Sequence, residues 1–256
     1  MEKERGCGMF TIKESNLNAG YIEGANLKGF NLTGAELIEV NLEGANLEAA
    51  NLEAANLEGA NLKGANLKRA NLEGSDLKRA NLQGTNLQEA DLKWANLQGA
   101  NLRETNLEAT DLDWAILIGA NFEGSDLIKA NLQGANLQGA NLEAANLREA
   151  NLREANLKEA NLEATDLIKA NLKGANLQVA NLRGADLFMA NLEGANLEAA
   201  NLKEAHYLSF DQLSKVKTLY DTKLDKELLT SLKEKYPGLF KSLEQQFLEN
   251  QSNLLL

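Results

Sequence analysis

From Ile12 to Leu202 every fifth residue is Leu, Ile or Phe, thirty-nine centres without a single insertion. Two places before most centres sits Ala, Ser or Thr, and one place before them Asn or Asp. A helix cannot use this period. At about 100° per residue, successive centres would fall about 140° apart and wander round the whole surface. One long strand fails as well, because five is odd and alternate centres would point to opposite faces. An extended segment with a corner every five residues does fit. Ala and Leu, two apart, then point inward together, and the residue between them and the two that follow face outward.

The interior of such a coil is too narrow for two large side chains per side, which is why alanine accompanies each leucine. Burying one leucine is worth about 1.5–3 kcal/mol. A column of them can therefore stabilise a chain whose aromatic content is only 5% and which has one proline. The runs ANLEGANLKGANLKRANLEGSDLKRANLQG and ANLEAANLREANLREANLKEANLEATDLIKANLKG resemble the pentapeptide-repeat family. The resemblance implies an all-β solenoid, a right-handed quadrilateral β-helix of about ten coils, here with a C-terminal α-helical cap. At about 4.8 Å per coil the rod is roughly 45 Å long. The expected division is an N-terminal cap over residues 1–10, the β-helix over 11–207, and a helical cap and tail over 208–256.

With four sides to a coil, residues twenty apart are vertical neighbours. Glu43/Lys63, Glu48/Lys68 and Glu58/Lys78 are then expected to form cross-coil pairs, each contributing about 0.2–1 kcal/mol. Trp94 and Trp114 share one outward column. Two neighbouring exposed indoles point to a protein-interaction surface or to stacking along the ladder, and both readings stay open. Ile116 and Ile118 lie on the adjoining face, and Ile116 departs from the Asn/Asp rule. Ile128, Ile168 and Phe188 form another column, with Met189 beside the last, and partial cover of Phe188 by the tail is expected.

Both ends of a solenoid need covering. Phe10, Phe30 and Val40 replace Ala and Tyr21 replaces Asn, so the first coils should be wider or distorted. Cys7, the only cysteine, reads as a free thiol of that cap, and His206 as a cap residue. Beyond Tyr207, Leu213, Val216, Leu219 and Tyr220 have helical spacing. A second helix should start after Asp225 and carry Leu228, Leu229, Leu232 and Tyr236, ending before Pro237. A third would present Leu239, Leu243 and Phe247. It could pack on the rod with Leu254–Leu256, join a second copy as a homo-oligomer through the tail, or be disordered. The stretch FDQLSKVKTLYDTKLDKELLTSLKEKYPGL is similar to the tails of cyanobacterial members of the family.

The formal charge of −11 argues against nucleic acid or an anionic membrane as partner. The N-terminus has no signal-like apolar stretch, and a cytoplasmic protein is expected. With one His and one Cys, no phosphate loop and no interruption for a catalytic loop, no enzyme, catalytic residue, metal site or cofactor is expected. Asp76, Asp91, Asp111, Asp126, Asp166 and Asp186 replace Asn within the repeat and read as structural. Two functions follow: a scaffold or protein-interaction rod with its contact surface at Trp94, Trp114, Ile116 and Ile118, or a DNA mimic. The latter rests on resemblance to family members that bind DNA gyrase and protect it from quinolones. Alternation of Glu and Lys along the columns counts against that alternative.

Overall fold

The structure, a computed structural model, describes residues 22–242 and Gln245. The expected N-terminal cap with Cys7, Phe10 and Tyr21 lies outside the described residues, as do Leu243, Phe247 and Leu254–Leu256. Parallel bridges join residues twenty apart, from Asn26↔Asn46 to Asp186↔His206. The chain is therefore a right-handed four-sided β-helix with one five-residue repeat on each side.

A single repeat, Ala45 to Ala49, shows why the period is five. The Ala45 N–H closes the preceding turn on Leu42 O at 3.0 Å. Asn46 N–H reaches down to Ala25 O at 2.9 Å, and Leu47 N–H reaches up to Asn66 O at 2.7 Å. The Glu48 N–H is capped by Oδ1 of Asn46 at 3.2 Å. The Ala49 N–H reaches up to Lys68 O at 2.9 Å. All five donors are satisfied, as a solenoid with a dry core requires. Asparagine also links coils, for Asn46 Nδ2 donates to Asn26 Oδ1 and Asn46 Oδ1 accepts in turn from Asn66 Nδ2, both at 3.2 Å. The Asn position is thus a built part of the ladder, half-buried, with two jobs that only a short amide performs together.

Inside, the leucine centres are fully buried and the alanines beside them nearly so. Phe122 replaces a leucine at no loss of burial. Where Thr or Ser takes the alanine place the hydroxyl finds a carbonyl: Thr85 bonds Leu62 O, Thr105 bonds Leu82 O, and Ser125 bonds Leu102 O. The expected distortion at Phe30 and Val40 is not found in the backbone. Asn51 N–H to Phe30 O is 2.8 Å and Asn61 N–H to Val40 O is 2.9 Å, as in later coils. Phe30 is only partly buried, whereas Val40 is buried in the core.

Every fifth residue from 24 to 204 has a positive φ, between 53° and 70°. It is the third residue of a tight turn, the place where a type II turn demands that conformation. Sixteen of these residues are glycines, and twenty-one carry a Cβ, for which the left-handed region costs about 1–2 kcal/mol. The ladder bonds on either side hold them there.

The C-terminal end departs from the helix pattern expected over Leu213 to Tyr220. The first helix, α1, is Phe210–Leu213 only. Residues 216–224 instead rebuild two further sides of the solenoid. Lys217 N–H meets Ala195 O and Lys223 N–H meets Ala200 O, both at 2.8 Å. Leu202 N–H meets Lys223 O at 2.8 Å, and Leu197 N–H meets Thr218 O at 3.3 Å. Thr218 Oγ1 caps the Tyr220 N–H at 3.0 Å, as an asparagine would, and Asp221 takes the positive φ of the corner. Leu219 and Leu224 are the buried centres. A continuous helix here would have left the top coil's donors and acceptors unpaired, and that decides against it. The second helix, α2, is Lys226–Lys235, followed by a 3₁₀ helix at Pro237–Phe240. Leu219 N–H to Leu239 O at 2.7 Å ties this segment over the last centre. Asp225 precedes α2 as expected but does not cap it by its side chain. Its carboxylate instead accepts from the Glu204 N–H at 3.3 Å, a corner donor with no further coil above it.

Candidate interaction surface

Trp94 and Trp114 occupy the corner position in adjacent coils, with φ of 54° and 55°, and are 57% and 53% exposed. The corner turns their side chains outward, as the repeat register requires. They do not stack on one another; among the described residues the aromatic ring pairs are Phe188–Tyr207, His206–Tyr207 and Phe210–Tyr236. The Trp114 indole lies instead over the next coil's corner glycine. A Cβ on Gly134 would stand 2.7 Å from its Cδ2 and Cε2 and 2.9 Å from its Cε3. One face of the ring is backed by the Gly134 backbone.

Ile116 and Ile118 lie on the side that follows this corner, Ile116 exposed and Ile118 half-buried. Ile116 is bridge partner to Asn96 below and Asn136 above. At that place it can neither cap the Ile118 N–H nor accept from the Asn136 amide. Both are jobs that asparagine performs elsewhere in the column, as where Asn156 donates to Asn136 at 2.9 Å and Asn136 caps Gln138. Each missing bond is worth about 0.5–1.5 kcal/mol. Ile116 therefore gives up side-chain bonds that the solenoid makes elsewhere in the column.

On the side preceding the corner, Asp91 and Asp111 are bridge partners. Lys93 Nζ spans them at 3.1 and 3.2 Å. Hydrogen bonds to Asp91 first and Asp111 second hold the Lys93 ammonium above its usual range. Asp113, adjacent to Trp114, was not singled out by the sequence pattern. Its Oδ1 is buried without a partner, and burial, then repulsion from Asp111, push its carboxyl up against the opposing pull of Lys93. The only sequence signal was an acid placed directly before an exposed indole.

The remaining features fall elsewhere. Phe188 meets Tyr207, the last residue before the tail, edge-on at 5.6 Å and stays 47% exposed. A groove of about 430 Å³ opens beside it, lined by Met189, Tyr207 and Gln212 among others. His206 is exposed at the last rung of its column. The cross-coil charge pairs form with other partners than expected. Glu48 takes Lys28 at 2.8 Å, Glu58 takes Arg79, and Glu43 accepts from Asn61 at 3.1 Å. Long side chains reach up or down equally well, so the columns set that charges pair but not which. Among the described residues no cluster of His, Cys, Asp or Glu is arranged to hold a metal, and no helix is long and apolar enough to cross a membrane.

Comparison with known proteins agrees with this architecture. The family described as Pentapeptide repeats matches in eight copies between residues 15 and 206. HetL from the cyanobacterium Nostoc sp. strain PCC 7120, a pentapeptide repeat protein involved in heterocyst differentiation regulation, is 34% identical. The likeness covers 72% of this chain and 91% of HetL, with a TM-score of 0.54. Rfr23 from the cyanobacterium Cyanothece 51142 is 45% identical over 40% of this chain and 83% of its own, with a TM-score of 0.39. QnrB1, a plasmid-mediated fluoroquinolone resistance protein, is 22% identical over 74% of this chain and 94% of its own, at 0.49. Among curated proteins none matches. The chain belongs to the pentapeptide-repeat family.

Proposed function

We propose that the protein is a non-catalytic interaction rod, in which the β-helix presents a contact surface at Trp94, Trp114, Ile116 and Ile118. The observation that carries this reading is Ile116. It replaces a residue that makes two ladder bonds by one that makes neither, and it leaves an apolar side chain in solvent beside two exposed indoles. Phe188 and Met189 are exposed as well, but at ordinary outward positions of the repeat, whereas Ile116 gives up side-chain bonds to stand in solvent, the mark of a surface that is covered in use. The regulatory involvement of HetL is compatible with a rod that works by contact.

The test separates stability from function. Ile116→Asn restores the ladder and should raise stability by about 1 kcal/mol. The same variant, and Trp94→Ala with Trp114→Ala, should lose the partner that the wild-type rod retains from its native lysate. A partner retained equally by all three would remove this surface from consideration. The gyrase alternative is checked directly by a supercoiling assay: protection of gyrase from a quinolone, unaffected by Ile116→Asn, would replace the present reading.

A further inference from the structure

The corner of Trp94 and Trp114 divides two unlike sides. After it, Ile116 and Ile118 are flanked above and below by the neutral Asn96, Asn136, Gln98 and Gln138. Before it, three carboxylates, Asp91, Asp111 and Asp113, face one ammonium, and that ammonium is already shared by Asp91 and Asp111. Asp113 is left with no ion pair or side-chain hydrogen bond among the described residues, although the residue itself is only half-buried. Between the two sides, Trp114 is backed on Gly134 and more than half exposed, so it offers a flat aromatic surface to solvent.

We propose that this corner seats an arginine of the partner, its guanidinium laid on the Trp114 indole and directed to Asp113, with an apolar side chain beside it covering Ile116 and Ile118. The inference rests on the interaction surface proposed above and names the chemistry of its occupant. A planar cation is favoured over a neutral group by the ring and by the excess of carboxylate together. Arginine is favoured over lysine because a guanidinium can stack on the indole and present parallel donors to a carboxylate at once. Charge complementarity excludes an acidic segment, whose carboxylates would face three others.

The chain has two tryptophans, both at this corner, so fluorescence excited beyond the absorption of its four tyrosines reports on the site alone. The probe is an acetylated Leu-Arg peptide amide titrated into the full-length protein, beside analogues with lysine, and with citrulline, which keeps the shape but not the charge. The expected result is saturable quenching by the arginine peptide, at least about five-fold tighter than by the citrulline peptide. Asp113→Asn should narrow the gap between the two, while Asp76→Asn, a conservative change outside the corner, should leave the difference intact. Equal response to arginine and citrulline, or no saturable response, overturns the proposal. The interaction surface can outlive it: a partner lost on Ile116→Asn but retained on Asp113→Asn would keep the surface and discard the arginine.

Discussion

In the coils from Ile22 to His206 the groups that point up or down the rod meet the backbone of the next coil, whereas at the C-terminal end much of that work passes to side chains. Leu187 O and Ala190 O both accept from Gln212 Nε2, at 2.8 and 2.9 Å. Glu204 N–H is taken by Asp225. The difference teaches how a solenoid ends. Propagation needs only that each repeat be like the one beneath it. Termination needs a side chain wherever the next strand is missing, because an unpaired buried carbonyl or amide costs about 1–3 kcal/mol.

That contrast can be broken most severely from within the rod. Leu137 is fully buried in the leucine column, and Leu137→Lys should cost about 4 kcal/mol or more, enough to unfold much of the chain. Circular dichroism melting reads it, and an unchanged Tm would mean that the centre does not face a dry interior. At the end, Gln212→Ala removes one amide and exposes two carbonyls, for an expected loss of about 2 kcal/mol. Hydrogen exchange should show the effect around the last coils and spare the middle of the rod. Uniform exchange along the chain would deny that this side chain acts as a cap.

Gly134→Ala tests the corner. Its φ of 63° and the overlying Trp114 ring both oppose a Cβ, and about 2 kcal/mol should be lost. In a Trp114→Ala background most of the steric part should vanish, so the two changes should be strongly non-additive in denaturant unfolding. Additivity would place the indole elsewhere. The smallest effect is a gain. Val179, β-branched and exposed, holds a φ of 62°, and Val179→Gly should stabilise by about 1 kcal/mol. A loss on unfolding titration would show that the valine makes a contact worth more than its strain.

Much of the fold was legible because one error-free period carries it. The inward direction of Ala and Leu, the corner at every fifth residue and the outward indoles follow from parity and spacing. The failures lie where two periods compete over a short stretch. Leu213, Val216, Leu219 and Tyr220 fit a helix, yet Leu219 and Leu224 are five apart with Thr222 at the small position, so the repeat was there as well. So short a stretch cannot decide between those patterns, but the open edge of the last coil can. The candidate surface was visible as departures at Trp94, Trp114 and Ile116. Asp113 was not, since an acid in an outward position is ordinary until its partners are known.

The sequence by itself determined that this chain is a rod of stacked coils with a leucine axis and alanine walls, because only a turn every five residues keeps one face inward over thirty-nine repeats. Only the tertiary structure decided what each asparagine does, that twenty-one corners are held in a strained conformation, which charges pair, and that residues 216–224 extend the solenoid rather than a helix. The physical reason is the same in each case. A period fixes direction for every residue alike, whereas hydrogen bonds and ion pairs depend on which groups stand twenty residues away, above and below.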